Sequence, residues 1–276
     1  MHAVVLPGTG SDARFAADAF EPALTAAGIT TEAVEPNPSA VVSGYRRALD
    51  SAAMTHGRII VGGISIGAVV AVAWALEHPD RVVGVLAALP PWSGEPADAP
   101  AATSARFTAQ QLIDEGLATV IDAMSASSPP WLAATLERSW TAQWPDLPSA
   151  LMEAAHCTAP DLAALGNLSS PTAIVGACDD PVHPIEVAES WHGVVPHSSL
   201  ATVGLADIGA DPAILGNRTV PDLLSLIGGE HLPRHHTDRE SDHGRIQPPS
   251  CCIADPDEPR LGPSVGPDGC TGAGAG

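Results

Sequence analysis

The sequence predicts an α/β fold: a mostly parallel central sheet flanked by helices, with a helical cap inserted between two strands. Three observations carry this. Short apolar runs bounded by Gly and Pro alternate with longer helical patterns from Ala3 to about Ile227, which is the rhythm of βαβ units on a parallel sheet. Between Ser93 and about Gly166 the rhythm breaks, and helical patterns follow one another with no convincing strand. The chain's 276 residues, 45% of them apolar, suffice to bury one large core.

Strands are expected at residues 3–6, 31–34, 58–61, 82–87, 172–175 and 200–203. Helices are expected at residues 15–27, 41–53, 66–77, 184–191, 211–217 and 220–227, the last stopped by Gly228-Gly229. The insertion, about 93–168, carries helical patterns such as 110–123 and 147–155. It also holds Trp131, Trp140 and Trp144, with Trp92 at its entrance, four of the six tryptophans in the chain. They form either a lid over an apolar pocket or the insertion's own core, since Trp is buried on average wherever it occurs.

After Gly229 the composition turns to His, Pro, Gly, Asp and Arg without apolar periodicity. Such a segment buries too little surface to offset its ordering entropy. The expected organisation is thus one domain, 1–229, and a disordered tail, 230–276. Truncation after Gly229 is expected to leave the thermal midpoint nearly unchanged; a drop of several degrees, roughly 2 kcal/mol in a domain of this size, would show that the tail packs. The tail's His231, His235, His236 and His243 with Cys251 and Cys252 match no metal-site spacing of known mechanism, so no metal is expected.

The formal net charge is −20, and all twelve cationic side chains are Arg. Phosphate binding rests on clustered cations, so a nucleic-acid partner is excluded. No basic leader and no apolar stretch of spanning length is present, so neither export nor a membrane is expected, and the location reads as cytoplasmic. Five Cys, an odd number with no CxxC pair, suit thiols of a reducing compartment.

The chemistry centres on Gly63-Ile64-Ser65-Ile66-Gly67, a G-x-S-x-G pentapeptide between the run Arg58-Ile59-Ile60-Val61 and an apolar helix. In that setting the serine sits on a strained strand-to-helix turn, and the flanking glycines allow close approach of neighbouring backbone. The following helix points its positive end at the site. The competing reading is a tight turn whose Ser65 merely caps a helix. Leu6-Pro7-Gly8-Thr9-Gly10-Ser11 follows the first strand, where one oxyanion donor is placed in such sites, with Thr9 as the candidate and the N–H of Ile66 as its partner. No Lys follows these glycines and the G-x-G-x-x-G spacing is not met, against a phosphate loop. The third piece is Gly176-Ala177-Cys178-Asp179-Asp180-Pro181-Val182-His183-Pro184, after an apolar strand.

In their order these pieces resemble the α/β-hydrolase family over roughly residues 3–227, the elbow being the most specific motif. The resemblance implies a serine hydrolase without a cofactor. It places the nucleophile on Ser65 and the acid on Asp180 or Asp179, with Asp180 preferred because Pro follows it. Both carboxylates serve equally well, on the bland reading, as acceptors in an Asx-type turn.

Three departures from the family pattern stand out. The family's histidine follows the last strand, yet Val203-Gly204-Leu205-Ala206-Asp207-Ile208-Gly209 contains none. Pro7 stands where many relatives carry His, and the chain starts at a strand that is often third in longer members. His183, three residues beyond Asp180, is the candidate base. A histidine there must reach around its own acid to meet Ser65, so a structural imidazole bonded to its own loop is the alternative. His197 is expected at the wrong end of its strand, and His156 and His192 on helices.

Two functions follow as expectations. One is a serine hydrolase cleaving a small or medium-sized carboxylic ester or thioester through an acyl-enzyme. The other is a catalytically impaired hydrolase fold that binds an apolar ligand or a protein partner beneath the insertion. No oligomeric state is implied.

Overall fold

A computed structural model of the protein describes residues 1–229. Six strands make one all-parallel sheet: β1 His2–Leu6, β2 Thr30–Ala33, β3 Ile59–Ile64, β4 Val82–Ala88, β5 Thr172–Ala177 and β6 Ser198–Val203, in the order β2-β1-β3-β4-β5-β6. Every residue of β3 and β5 is buried, which is why a sheet covered on both faces reads as unbroken apolar runs.

Side chains alternate between the faces as the pleat requires. Val4, Leu6, Val61, Val85, Ala87 and Ile174 join one core with Tyr45, Trp74 and Trp191. Ala3, Val5, Ile60, Leu86, Ala88 and Val175 join the other with Phe20, Leu215 and Leu223. Helices α2 Val41–His56, α3 Ile66–Glu77 and α9 Ile185–Val194 supply the first core, and α1 Ala13–Ala26 and α11 Ile214–Gly228 the second.

Between β4 and β5 lie α4 Pro100–Glu115, α5 Leu117–Ser127, α6 Pro130–Gln143, α7 Leu147–Ala155 and the single turn α8 Leu162–Leu165. The helical pattern expected over 110–123 is broken at Gly116, whose φ of +80° ends α4. The expectation did not include α6, which starts with Pro130 at its first turn, where a missing N–H costs nothing. The insertion has a core of its own from Ala109, Leu112, Val120, Trp140, Leu147 and Leu151. Its tryptophans divide: Trp140 is in that core, Trp131 stacks on Phe15 of α1, and Trp144 is 40% exposed. Trp92 joins the first sheet core and donates to the Cys157 carbonyl.

Two further differences concern the chain from β6 onward. The two helices expected at 211–217 and 220–227 are one, α11, with Pro221 inside. Proline removes one backbone bond there, but Gly216 lies so close to Ala19 and Phe20 of α1, and Leu223 so close to Gly84 of β4, that both halves are held in line. A short helix, α10 Leu205–Ala210, follows β6, its first turn capped by Asp207 accepting from the Gly204 N–H at 2.9 Å. No helix among the described residues is long and apolar enough to cross a membrane. The tail 230–276, with its His and Cys cluster, lies outside the described residues.

Candidate active site

The sheet's order reverses at β1, whose two neighbours are β2 and β3. At such a switch point the loops leaving adjacent strands diverge to opposite faces and open a crevice at the carboxyl ends. The loop after β1 and the turn after β3 meet there.

Ser65 is the residue between β3 and α3, with φ 54° and ψ −118°. A non-glycine residue at that φ stores strain of order 1–3 kcal/mol. It is held by the sheet and the helix at once: its N–H donates to the Ala88 carbonyl at 2.9 Å, and its own carbonyl accepts from Ala68 at 2.9 Å. The strand runs three residues further than expected, to Ile64, and so carries the serine to the carboxyl ends of the central strands. The flanking glycines are required by contact rather than by conformation. A Cβ on Gly63 would lie 2.6 Å from the Gly67 carbonyl oxygen, and one on Gly67 would lie 2.8 Å from that of Pro7.

Gly67→Ala is therefore expected to destabilise the fold by about 3 kcal/mol or more, lowering the thermal midpoint by roughly 6 °C or more in a domain of this length. Gly193 in α9 meets no atom within 4 Å of an added Cβ. Gly193→Ala should instead raise the midpoint slightly, by helix propensity alone. Equal midpoints for the two variants would contradict the packing argument.

The imidazole comes from the loop after β5. His183 Nε2 lies 2.9 Å from Ser65 Oγ, and its Nδ1 lies 2.8 Å from Asp180 Oδ2. The loop achieves this by a tight turn. Asp180 Oδ1 accepts from the N–H groups of Val182 at 2.8 Å and His183 at 3.2 Å, which leaves Oδ2 free to face the ring. The carboxylate thus both shapes the turn and holds the imidazole. Burial raises the Asp180 pKa, but the hydrogen bond and charge of His183, with the two N–H groups, outweigh it and hold the carboxyl below its ordinary value. Asp180, His183 and Ser65 side chains are all largely buried.

Asp179 turns the other way, its Oδ1 accepting from the Leu205 N–H at 2.7 Å. It docks the start of α10 onto the β5 loop, at the place where the family pattern puts a histidine. His156 bonds the Met152 carbonyl in α7, His192 bonds Ser198, and His197 immediately precedes β6 at the sheet's opposite end.

Gly8 packs against the serine, an added Cβ there lying 3.4 Å from Ser65 Cβ. Thr9 follows it in the same loop. Ile66 occupies the first position of α3, where a backbone N–H has no acceptor within the helix. The helix's positive end therefore opens beside Ser65. Sequence reasoning missed the contacts this loop makes with α6. Asp12, the N-cap of α1, accepts from Arg138 Nε at 2.7 Å and Nη2 at 3.1 Å, and Ser11's carbonyl accepts from Gln143 at 2.9 Å. Asp12 announces itself as a helix cap, but nothing in the sequence ties it to a residue 126 positions away.

No protein-family model and no curated protein sequence matches the chain. Solved structures do. The esterase RhEst1 from Rhodococcus sp. ECU1013 aligns with a TM-score of 0.63 at 15% identity, over 82% of this chain and 91% of that one. A thermophilic esterase from Thermogutta terrifontis aligns at 0.61 and 17%, over 83% and 91%. The putative non-heme bromoperoxidase BpoC from Mycobacterium tuberculosis H37Rv aligns at 0.61 and 18%, over 82% and 92%. The chain has the α/β-hydrolase fold.

Proposed function

We propose that the protein is a serine hydrolase that cleaves a small or medium-sized carboxylic ester or thioester through an acyl-enzyme. The observation that carries this reading is the unbroken chain of hydrogen bonds from Ser65 Oγ through His183 to Asp180. Esterases among the structural neighbours support the choice of substrate class.

With Nδ1–H donated to Asp180, the neutral ring presents the Nε2 lone pair to the serine hydroxyl. Ser65 Oγ attacks the substrate carbonyl carbon while its proton passes to Nε2. The carbonyl π pair moves onto oxygen, facing the N–H groups of Thr9 and Ile66. As that pair returns, the bond to the leaving alkoxide or thiolate breaks, and the imidazolium supplies its proton. Water then attacks the acyl-Ser65, gives a proton to His183, and the acid leaves as Ser65 is reprotonated. Ester and water become acid and alcohol, with no cofactor in the balance.

The alternative, an impaired fold that binds an apolar ligand or protein, drew its force from the missing histidine after β6. His183 supplies an imidazole in contact with Ser65, and no observation among the described residues favours that alternative. The test is a fluorophosphonate probe with a series of short acyl esters. Stoichiometric labelling and turnover support the hydrolase; an unlabelled Ser65 with no turnover on esters or thioesters removes it.

A further inference from the structure

Three residues of α6 close on three consecutive residues of the loop that carries Thr9. Trp140 Nε1 sits over Gly10 so tightly that a Cβ there would lie 2.8 Å from it, and Gly10 takes φ +67°. Gln143 Nε2 donates to the Ser11 carbonyl at 2.9 Å, and is itself steadied by Ser139 Oγ at 2.7 Å. Arg138 grips the Asp12 carboxylate with two N–H groups, at 2.7 and 3.1 Å. On its other side the loop rests on the elbow through Gly8. Thr9 is pinned between these supports.

The energetics say what the grip is for. Solvent reaches the Arg138 end of the ion pair, where the side chain is 37% exposed, while the Asp12 end is only 10% exposed, so the charge attraction by itself is partly screened. A two-point guanidinium–carboxylate fork, however, fixes position and angle. Gln143 and Ser139 are buried and satisfy one another, so that contact too is rigid. An oxyanion donor must stand within a few tenths of an ångström of the charge it meets. β1 supports the loop only up to Leu6.

We propose that Arg138 and Gln143 are positioning residues: through Asp12 and Ser11 they set the Thr9 N–H at the distance the oxyanion needs, so that the insertion takes part in the chemistry. This rests on the hydrolase reading above. Neither residue touches the reacting atoms.

The test compares an oxygen ester with its thionoester, whose sulfur accepts hydrogen bonds poorly and so profits little from oxyanion donors. Arg138→Gln should lower kcat on the ester by about 10- to 100-fold, leave KM within about threefold, and narrow the ester-to-thionoester rate ratio by a similar factor. Arg138→Lys should recover part of both losses, and Gln143→Met should act in the same direction. Ser39→Ala is the control, because Ser39 Oγ ties α2's approach to the insertion through Asp146 at 3.1 Å without touching the loop. It should leave kcat and the ratio at wild-type values.

Folded Arg138→Gln and Gln143→Met with unchanged kcat and unchanged ratio would overturn the positioning role while the hydrolase reading stands. A matching loss in Ser39→Ala would overturn it as well, by showing that any loosening of the insertion suffices. Should Arg138→Gln fail to fold, Arg138→Lys and Gln143→Met decide by the same two quantities. A wild type that neither labels nor turns over fails one step earlier, at the hydrolase itself.

Discussion

Ser65→Ala and His183→Ala are each expected to lower kcat by roughly 10³-fold or more, and the double variant should be barely worse than either. The hydroxyl is a poor nucleophile without a base to take its proton, and the base has nothing to act on without the hydroxyl. Under the proposed mechanism the 2.9 Å contact between them makes one device rather than two. KM should stay near the wild-type value, because neither group is needed to seat the ground state. Fluorophosphonate labelling should vanish in Ser65→Ala and slow greatly in His183→Ala. Circular dichroism and the thermal midpoint check that both variants fold. An adduct persisting in Ser65→Ala would identify another activated serine. A loss below about tenfold in His183→Ala would return that histidine to a structural role.

Asp180→Asn is expected to lower kcat by about 10⁴-fold, whereas Asp179→Asn should change it by less than about tenfold. An amide at residue 180 presents a donor to Nδ1, inverts the ring tautomer and points an N–H, not a lone pair, at Ser65. At residue 179 the same change weakens only the anchor on Leu205. Asp180 also enters the pH dependence of stability. Its pKa in the fold is below the ordinary value, so its contribution is complete above the unfolded carboxylate range. It is lost as pH falls through the depressed value, below about pH 4. The midpoint difference between wild type and Asp180→Asn should therefore be widest at neutral pH and close in acid. A difference that grows on acidification would contradict the assignment of direction.

Much of the fold was legible because strands buried on both faces, such as β3 and β5, write themselves as apolar runs, and each of the six expected strands overlaps an observed one, β2 and β6 being only partly buried. The elbow was legible for a steric reason: Gly63 and Gly67 meet backbone where any side chain would collide. What the sequence left open is the direction in which loop side chains turn. His183 looked awkward beside its own acid. The difficulty disappears once Asp180 Oδ1 folds the loop onto itself and rotates the ring outward, a conformation that no spacing rule encodes. Asp179 could not be separated from Asp180 because its partner, Leu205, lies 26 residues on, in a short helix the pattern did not reveal. Helix α11 was read as two, 211–217 and 220–227, whereas packing of Gly216 on α1 and of Leu223 on β4 holds one continuous helix through Pro221. The grip of α6 on the Thr9 loop joins residues more than 120 positions apart and leaves no local trace.

Asp180 and His183, three residues apart on one turn, have a consequence for how the chain can be cut. Under the proposed mechanism no reacting group lies beyond His183, so β6, α10 and α11 serve as scaffold alone. A circular permutant opened between β6 and α10 would keep every reacting group on an uninterrupted segment running from Thr9 to His183. Its turnover would then depend only on whether the edge still docks, whereas a pattern with its histidine after β6 would place that residue at the new terminus, where chains fray first.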